Sequence, residues 1–296
     1  MGRNGTDLSG ADRDTAGRPE RGNRGVTSRT VYRRAVAAYS IAMLAVLHAP
    51  LVVLIAYSFN DSRINAAWSG FTWKWYVSLL GNERVLEALG NSLYIAAMST
   101  LIAALLGVPA AVWLHRRRRS ALWSGLFYLP QLMPDIFMGL ALLILFSRLS
   151  IPLGKWTVIA AHVTFCIPVV VLFVLARLSG IGRELEEAAY DLGATPRQTF
   201  FRVTLPLLVP AIVSAMLLSF TMSLDDFVIT FFVAGPESTT LPLYIYGLVK
   251  RGVSPEINAL SALMVAVTIL LVAGAELVRR RGETPSRAVQ PKRKET

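Results

Sequence analysis

The sequence is poor in charge, in cysteine and in histidine. Only 17% of its 296 residues are charged, against roughly 25% in an ordinary soluble domain, while 54% are hydrophobic and the mean hydropathy is +0.50. The single cysteine, Cys166, excludes an intrachain disulfide. The three histidines, His48, His115 and His162, are isolated from one another in sequence. This composition excludes a soluble globular domain and a disulfide scaffold.

The chain also lacks the short motifs of several enzyme classes. It has no G-x-x-x-x-G-K-[ST] phosphate loop, no H-E-x-x-H zinc motif and no G-x-S-x-G nucleophile elbow. His162 and Cys166, four residues apart, share a helix face but have no evident third metal ligand, so a packed, hydrogen-bonded histidine is predicted. We expect no catalytic residue, no cofactor and no metal, and any ATP used must be bound by another chain.

Six apolar runs reach the length of about 20 residues that a membrane-spanning helix needs. The predicted spans are residues 35–57, 92–114, 121–146, 156–178, 207–232 and 257–277. The predicted fold class is therefore an all-α integral membrane protein with six transmembrane helices. The polar ends divide the chain into a disordered basic tail over 1–34, a six-span domain over 35–278 and a second basic tail over 279–296.

Lysine and arginine are concentrated in alternate segments of the chain. Of the 30, 23 lie in residues 1–34, 116–119, 177–202 and 279–296, and the other three loops hold seven. Because cytoplasmic loops carry the excess of positive charge, both termini are predicted to be cytoplasmic. A nucleic-acid site is not predicted, because these segments lack aromatic stacking partners on a folded face.

The loop of residues 179–206 carries helix signals of its own. Good helix formers with early acids from Glu184 predict a short helix, and Gly193 supplies its stop. Thr195 as N-cap and Pro196 at the first helical position predict a second helix, after which Leu205-Pro206 returns the chain to the membrane. The loop either docks on a partner or lies as an amphipathic helix on the inner leaflet.

The same loop resembles the EAA signature, EAA-x3-G-x9-I-x-LP, of the membrane subunits of bacterial ABC importers. The matching residues are Glu187-Ala188-Ala189, Gly193 and Val203-Thr204-Leu205-Pro206, with Val203 in the usual place of isoleucine. The resemblance implies an ABC importer permease whose loop docks on a cytoplasmic ATPase. The coupling residues it implies are Glu187, Ala188, Ala189, Gly193, Leu205 and Pro206.

Three carboxylates, Asp135, Asp225 and Asp226, fall well inside predicted spans, whereas Glu276 lies at the inner end of its span and can reach water. An ionisable side chain at the centre of a spanning helix raises the free energy of membrane insertion by at least ~2.5–3.5 kcal/mol. Because this cost is usually tolerated for a function, such residues are candidates for a substrate path. Helical rise places all three in the outer half, where they would attract an organic cation because spans three and five contain no lysine or arginine. Neighbouring helical residues diverge by about 100°, so only one of the adjacent pair is expected to face the path.

A structural role for these acids stays open beside the path role. Asp135 would then cap a helix broken at Pro130 and Pro134, and the adjacent pair would mark the end of span five. Helix breaks at membrane depth are tolerated only where they face protein or a water-filled cavity. The prolines therefore point to a path independently of the acids.

Further segments resemble permeases of the spermidine/putrescine type. The most specific is LSFTMSLDDF over 218–227, similar to that family's LSFT-x-S-x-DD segment, and others lie at 71–76, 134–136, 162–168 and 253–260. The resemblance covers residues 35–280. It implies a polyamine path in the bacterial cytoplasmic membrane, built with a second homologous permease, a cytoplasmic ABC ATPase dimer and an extracytoplasmic substrate-binding protein.

Two alternatives to a polyamine permease remain. One is an ABC permease for another small cation or metabolite, since such proteins share part of these motifs. The other is an autonomous secondary transporter, for which internal repeats are typical and none is evident here. The EAA loop argues against this second alternative, because a secondary transporter has no ATPase to contact.

Overall fold

A computed structural model describes residues 24–62, 67–116, 121–182, 184–252 and 255–282 of the chain. Across these ranges the chain is built from helices. They are α1 (Arg24–Tyr57), α2 (Lys74–Leu80), α3 (Glu83–Arg116), α4 (Ala121–Leu132), α5 (Asp135–Arg148), α6 (Lys155–Gly180), α7 (Glu184–Asp191), α8 (Pro196–Thr199), a π-helix (Phe200–Thr204), α9 (Leu205–Asp225), α10 (Val228–Val233), α11 (Leu241–Val249) and α12 (Pro255–Gly282). The predicted all-α class is confirmed.

Five stretches of helix in the described residues are long and apolar enough to cross a membrane. They are Tyr32–Tyr57, Glu83–Arg116, Lys155–Gly180, Pro196–Asp225 and Pro255–Val278. A sixth span results if the bent pair α4 and α5 is counted as one. The predicted count of six therefore holds only with that pair taken together.

The third predicted span is not one continuous helix. Between α4 and α5 the helix axis turns by 105°. Pro134 has extended backbone angles, φ −58° and ψ 137°, and a proline also disfavours helical angles at the residue before it, here Met133. The placement of Asp135 by helical rise along residues 121–146 therefore does not apply, whereas a break at Pro134 agrees with the interpretation of this proline as a helix breaker.

The fifth predicted span also differs from the structure at both ends. Its helix begins at Pro196, well before residue 207, and ends at Asp225. Asp226 takes extended backbone angles, φ −65° and ψ 127°, and its carboxylate accepts from the backbone nitrogen of Thr230 in the next helix, where a negative charge is favourable. The part of the prediction that ran through residue 232 is therefore a separate helix, α10.

The N-terminal helix begins earlier than the sequence predicted. Helix α1 starts at Arg24, so residues 24–34 of the predicted disordered tail are helical, because extending an existing helix adds one hydrogen bond for each residue fixed. The rest of that tail, residues 1–23, and residues 283–296 of the predicted C-terminal tail lie outside the described residues.

The chain divides into two units, residues 1–53 and residues 54–296, and the candidate sites lie in the second. Its main core joins α3, α6 and α9. Small residues on α3 form this contact, among them Ala103, Gly107 and Ala111. A Cβ added to Gly107 would lie 2.8 Å from Cγ1 of Val170 in α6. Close approach of small residues is how membrane helices gain van der Waals contact.

The loop between α10 and α11 is held to α3 by two side chains. Asn91 Nδ2 donates to the backbone oxygens of Glu237 and Thr239, at 3.2 and 3.1 Å. Ser92 Oγ accepts from the backbone nitrogen of Leu241 at 2.8 Å. Buried backbone groups outside regular structure need such partners, so these polar side chains of an apolar helix position the loop that follows α10.

Candidate functional site

The three acids predicted for a substrate path line one cavity. Asp135, Asp225 and Asp226 come together around a space of about 320 Å³, which is the size range of small-molecule sites. The remaining wall is mostly apolar and consists of Pro130, Gln131, Met133, Phe165, Met222, Phe227, Val228 and Ile229. The cavity therefore combines negative charge with apolar surface.

Both helix breaks border this cavity. Asp135 lies in the first turn of α5, where a carboxylate is stabilised by the positive end of the helix dipole. Asp225 is the last residue of α9, and Asp226 follows it. The predicted break is found at Pro134, whereas Pro130 lies inside α4. Pro134 and not Asp135 is the N-cap residue of α5. A position at a helix end and a position at the cavity do not exclude each other.

Asp225 is the exposed member of the adjacent pair. Thr268 Oγ1 of α12 lies 3.0 and 3.2 Å from its two carboxylate oxygens and donates to them. One hydroxyl donor satisfies only part of the acceptor capacity of a carboxylate. Among the described residues, neither Asp225 nor Asp135 forms an ion pair with lysine or arginine. Both carboxylates can therefore accept hydrogen bonds from a cation in the cavity.

Asp226 is held more closely by the protein. Its side chain is 9% exposed, and its Oδ2 accepts from the backbone nitrogen of Thr230 at 2.8 Å and from Thr230 Oγ1 at 2.7 Å. His162 Nε2 lies 3.2 Å from the same oxygen. A buried carboxylate needs such partners to offset the loss of hydration. Asp226 is therefore fixed in the break between α9 and α10.

The expectation that only one of the adjacent acids faces the path rested on an angular argument. Both Asp225 and Asp226 line the cavity. The angular argument assumed that the two residues share a helix, whereas α9 ends between them. The approach of His162 to Asp226 was also missed, because the two residues lie far apart in sequence and on different helices.

The predicted hydrogen-bonded state of His162 is confirmed. Its side chain is fully buried, with Nδ1 2.6 Å from Ser223 Oγ and Nε2 3.0 Å from Thr230 Oγ1. Cys166 Sγ instead donates to the backbone oxygen of Ser219 at 3.7 Å. In the described part of the chain, no three His, Cys, Asp or Glu side chains are grouped as a metal site requires.

The short helix α7 and its glycine stop agree with the sequence prediction. Gly193 has φ +82°, a region that favours glycine. Its nitrogen donates to Tyr190 O at 2.8 Å, and the nitrogen of Ala194 donates to Ala189 O at 3.0 Å. These two bonds are the Schellman pattern that ends a helix, so the elbow after α7 is built by local sequence.

The second short helix also begins where the sequence predicted. Thr195 Oγ1 accepts from the nitrogen of Gln198 at 3.3 Å, and Thr195 N donates to Gln198 Oε1 at 2.9 Å. This reciprocal pair is a capping box, and Pro196 occupies the first turn. The helix start is therefore confirmed.

The end of the loop differs from the prediction at Leu205-Pro206. No new helix starts there, because α8 continues through the π-helix into α9, and Leu205 N donates to Phe200 O five residues back. Pro206 has no N–H to donate, and its ring crowds the carbonyl of Arg202 four residues earlier. A π-turn accommodates such a conflict, so Leu205 and Pro206 lie inside one helix that runs from Pro196 to Asp225.

The predicted coupling residues differ in exposure. Glu187, Ala188, Gly193 and Pro206 are exposed, and Ala189 and Leu205 are half-buried. Large apolar side chains are exposed beside them, namely Leu185, Tyr190 and Leu192, the last at 89%. Clustered apolar side chains on a surface are typical of an interaction site.

A second cavity, of about 280 Å³, lies at the base of α7 and is lined by residues that include Arg116, Glu186, Glu187 and Tyr190. At its wall, Thr204 Oγ1 of the π-helix donates to Glu186 Oε1 at 2.7 Å. Thr204 is buried and Glu186 is half-buried. This contact joins α7 to the long helix that ends at Asp225.

A helical membrane bundle with broken helices around an acid-lined cavity, and a capped helical loop at the other end of α9, defines a transporter permease architecture. Its fold is similar to that of a crystal structure of a bacterial ABC transporter involved in the import of the acidic polysaccharide alginate, with a TM-score of 0.66 and 20% identity over 86% of this chain and 96% of that chain. The likeness establishes the fold.

Residues 103–281 match the family of binding-protein-dependent transport system inner membrane components, and the chain belongs to this family. It is 42% identical over 244 residues to the spermidine/putrescine transport system permease protein PotC of Escherichia coli strain K12, covering 82% of this chain and 92% of PotC. It is 46% identical over 228 residues to the putrescine transport system permease protein PotI of the same strain, covering 74% and 81%. The predicted ABC importer permease family is confirmed, and the chain is a multi-pass inner-membrane permease subunit.

Proposed function

We propose that this permease subunit serves an ATP-driven polyamine importer and that the cavity around Asp135, Asp225 and Asp226 is part of the path of the cation. The observation that carries the proposal is the convergence of these three carboxylates with two helix breaks at one cavity. The identity to spermidine and putrescine permeases over most of the chain supports the substrate class.

The chemistry of the cavity suits a linear amine. Each ammonium group needs oxygen acceptors, and the methylene segments between them need apolar contact. The exposed carboxylates of Asp135 and Asp225 supply acceptors, while Met133, Phe165 and Phe227 supply apolar surface. Two unit charges 4 Å apart attract by about 4 kcal/mol at the effective dielectric of a protein surface, so each carboxylate favours an ammonium over a neutral solute.

The helix ends add to this preference. The C-termini of α4 and α9 lie at the cavity, and unpaired carbonyls at a helix C-terminus carry partial negative charge. The N-termini of α5 and α10 lie there too, but Asp135 and Asp226 offset their partial positive charge. The sum of these charges at the cavity is negative and favours a cation. Broken helices also line the substrate site in other transporters.

The loop around α7 is the proposed contact with a cytoplasmic ABC ATPase dimer. Leu185, Tyr190 and Leu192 present an apolar surface to it, and Gly193 sets the angle at which α7 meets α8. Because α8, the π-helix and α9 form one helix, displacement of the loop also moves Asp225. A nucleotide shifts the open and closed states of the path only through its different affinity for them.

The remaining parts of the proposal are orientation and partners. With both termini cytoplasmic, as the distribution of lysine and arginine predicts, the loop faces the ATPase and the end of α9 faces outward. A second homologous permease would complete the path, and an extracytoplasmic substrate-binding protein would deliver the polyamine.

The test is ATP-dependent uptake of labelled spermidine and putrescine into vesicles that contain this chain and the subunits that purify with it. The control is Gly193→Val, which places a β-branched residue at φ +82°. We expect saturable uptake in the unmutated complex and loss of uptake, with ATP hydrolysis retained, in the variant.

Other results would change the proposal in different ways. An ATPase that purifies with the chain, without polyamine uptake, would retain the permease and replace the substrate by another small cation or metabolite. Equal uptake by the Gly193→Val complex would contradict the coupling role of the loop.

A further inference from the structure

A fully buried histidine of α6 lies against the carboxylate that follows α9. His162 Nε2 is 3.2 Å from Asp226 Oδ2 and 3.0 Å from Thr230 Oγ1, and Nδ1 is 2.6 Å from Ser223 Oγ. The side chain is 0% exposed. A polar ring inside a spanning helix is costly unless its nitrogens are bonded, and an apolar residue would fill the same space without that cost. Packing alone therefore does not account for a histidine at this position.

The partners assign the ring hydrogen to Nε2. Thr230 Oγ1 donates its own hydrogen to Asp226 Oδ2 at 2.7 Å, so it acts as an acceptor toward His162. The carboxylate of Asp226 is also an acceptor. Nε2 therefore carries the hydrogen, and Nδ1 accepts from the hydroxyl of Ser223. Each hydrogen in the cluster then has an acceptor, and fully satisfied buried networks rigidify the groups that form them.

We propose that His162 is a positioning residue of the cation path, which through Nε2 holds the Asp226 carboxylate in the break between α9 and α10. Its effect on transport rests on the proposed function, whereas its effect on Asp226 does not. Asp226 lies outside both helices, with extended backbone angles, so no helical hydrogen bonding fixes its backbone. The carboxylate is fixed instead by His162 of α6 and by the backbone nitrogen and hydroxyl of Thr230 in α10.

This assignment divides the three acids into two kinds. Asp135 and Asp225 are exposed and can adjust to a cation that passes. Asp226, with a 9% exposed side chain, keeps its charge at one place on the cavity wall. A fixed charge costs no reorganisation when the cation arrives, so the position of Asp226 contributes to the rate of passage.

Two substitutions separate the contact with Asp226 from the contact with Ser223. In His162→Gln the side-chain amide reaches the place of Nε2 and can still donate to Asp226. In His162→Asn the shorter amide reaches only the place of Nδ1 and can still bond Ser223. Both replacements are neutral, polar amides, so they form a matched pair.

The first readout is the reactivity of Asp226 in the complete purified complex, measured by carbodiimide labelling of carboxylates and peptide mass spectrometry. Asp225 in the same peptide region is the internal reference. We expect the labelling of Asp226 relative to Asp225 to rise several-fold in His162→Asn and to stay at the unmutated ratio in His162→Gln. Equal labelling in all three proteins would overturn the proposal.

The second readout is the maximal rate of ATP-dependent spermidine uptake, normalised to assembled complex. We expect a fall of about tenfold in His162→Asn, the size that follows from losing one hydrogen bond to a charged group, and near-normal uptake in His162→Gln. In an Asp226→Asn background His162→Asn should cause no further loss, because coupled residues are not additive. A full additional loss there would contradict action through Asp226.

The two readouts fail separately. If the unmutated complex takes up no polyamine but the labelling of Asp226 changes as expected, the substrate assignment is wrong and the positioning role stands. Suppose instead that the unmutated complex takes up polyamine normally, and that His162→Gln is as defective as His162→Asn in both labelling and uptake. The positioning role is then wrong and the polyamine permease stands.

Discussion

At the scale of single residues, the site is made by carboxylates at the ends of helices. Asp135 is the first residue of α5, and Asp225 is the last residue of α9. Asp226 accepts a hydrogen bond from the backbone nitrogen of Thr230 in α10. A charge in a continuous spanning helix would have to face lipid or a neighbouring helix. At a helix break, the same charge can face a polar cavity and also bond unpaired backbone groups.

The charge of Asp225 is predicted to serve transport. Asp225→Asn preserves the shape of the side chain and one oxygen that accepts from Thr268, removes the charge and replaces the other oxygen by an NH2 donor. We expect maximal polyamine uptake to fall by about tenfold to a hundredfold, since a hydrogen bond to a charged group is worth roughly 1.5–3 kcal/mol. The measurement is initial uptake at saturating spermidine. Glu87→Gln, an exposed acid of α3 away from the cavity, should transport normally, and normal uptake by both variants would return Asp225 to a structural role.

Gly139 is predicted to be needed for the contact between α5 and α10. A Cβ at this position would lie 2.7 Å from Phe232 Cδ2 and 3.3 Å from the Cα of Ile229. Gly139→Ala should therefore destabilise the purified complex by ~1–3 kcal/mol, the usual cost of overpacking, and lower its unfolding temperature.

The matched control for Gly139→Ala is Gly125→Ala. Gly125 lies in α4, and an added Cβ there meets no atom within 4 Å. Both substitutions gain the same intrinsic helix preference of alanine over glycine. Equal unfolding temperatures for the two variants would show that α10 can shift to accept the methyl group.

At the scale of secondary-structure elements, one long helix links the loop that contains α7 to the acid-lined cavity. It runs from Pro196 to Asp225, with the π-helix near its start. The elbow at Gly193 and the hydrogen bond from Thr204 to Glu186 join α7 to that helix. In the proposed mechanism, movement of α7 would therefore reach the cavity through a continuous helix and not through a flexible loop.

The Thr204 hydroxyl is predicted to transmit the movement of α7. Thr204→Val keeps the shape of the side chain but removes the donor to Glu186, whereas Thr204→Ser keeps the donor. Since a hydrogen bond contributes about 0.5–1.5 kcal/mol, we expect uptake per ATP hydrolysed to fall by about threefold to tenfold in the valine variant. The serine variant should remain near the unmutated ratio. If the serine variant, which keeps the hydroxyl, lost more uptake per ATP hydrolysed than the valine variant, which keeps the side-chain shape, this role would be contradicted.

At the scale of the whole molecule, the alternation of basic and less basic segments predicts how the chain is inserted. The loop that contains α7 is on the side where lysine and arginine are concentrated, and α2 lies in a less basic loop. Short basic loops remain in the cytoplasm. The ATPase contact and the outer loops are therefore expected on opposite sides of the membrane.

Cysteine labelling tests this orientation. Cys166 is 0% exposed, so the native chain gives little background. In intact spheroplasts, a membrane-impermeant maleimide should label Ser78→Cys in α2 and should label Asp191→Cys in α7 only after lysis. Ser78 and Asp191 are both exposed. The reverse pattern would invert the orientation, and labelling of both residues in intact spheroplasts would contradict the predicted spans between them.

Features that depend on neighbouring residues could be predicted from the sequence. Hydropathy over about 20 residues predicted the spans, and the cap residues Gly193, Thr195 and Pro196 predicted the two short helices of the loop. These structures form from contacts within a few residues, so their signals lie side by side in the chain. The acids were identified as candidates for the same reason, since a charge within an apolar run is a local signal.

The sequence alone determined that this is an all-α membrane protein with a helical loop of the ABC permease type. Only the tertiary structure decided that α4 and α5 meet at 105°, that α9 ends between Asp225 and Asp226, and that His162 lies beside Asp226. The last of these features depends on contacts between residues more than 60 positions apart. Such contacts form only when α6, α9 and α10 are packed together, because no periodicity within one helix records the side chains that another helix presents.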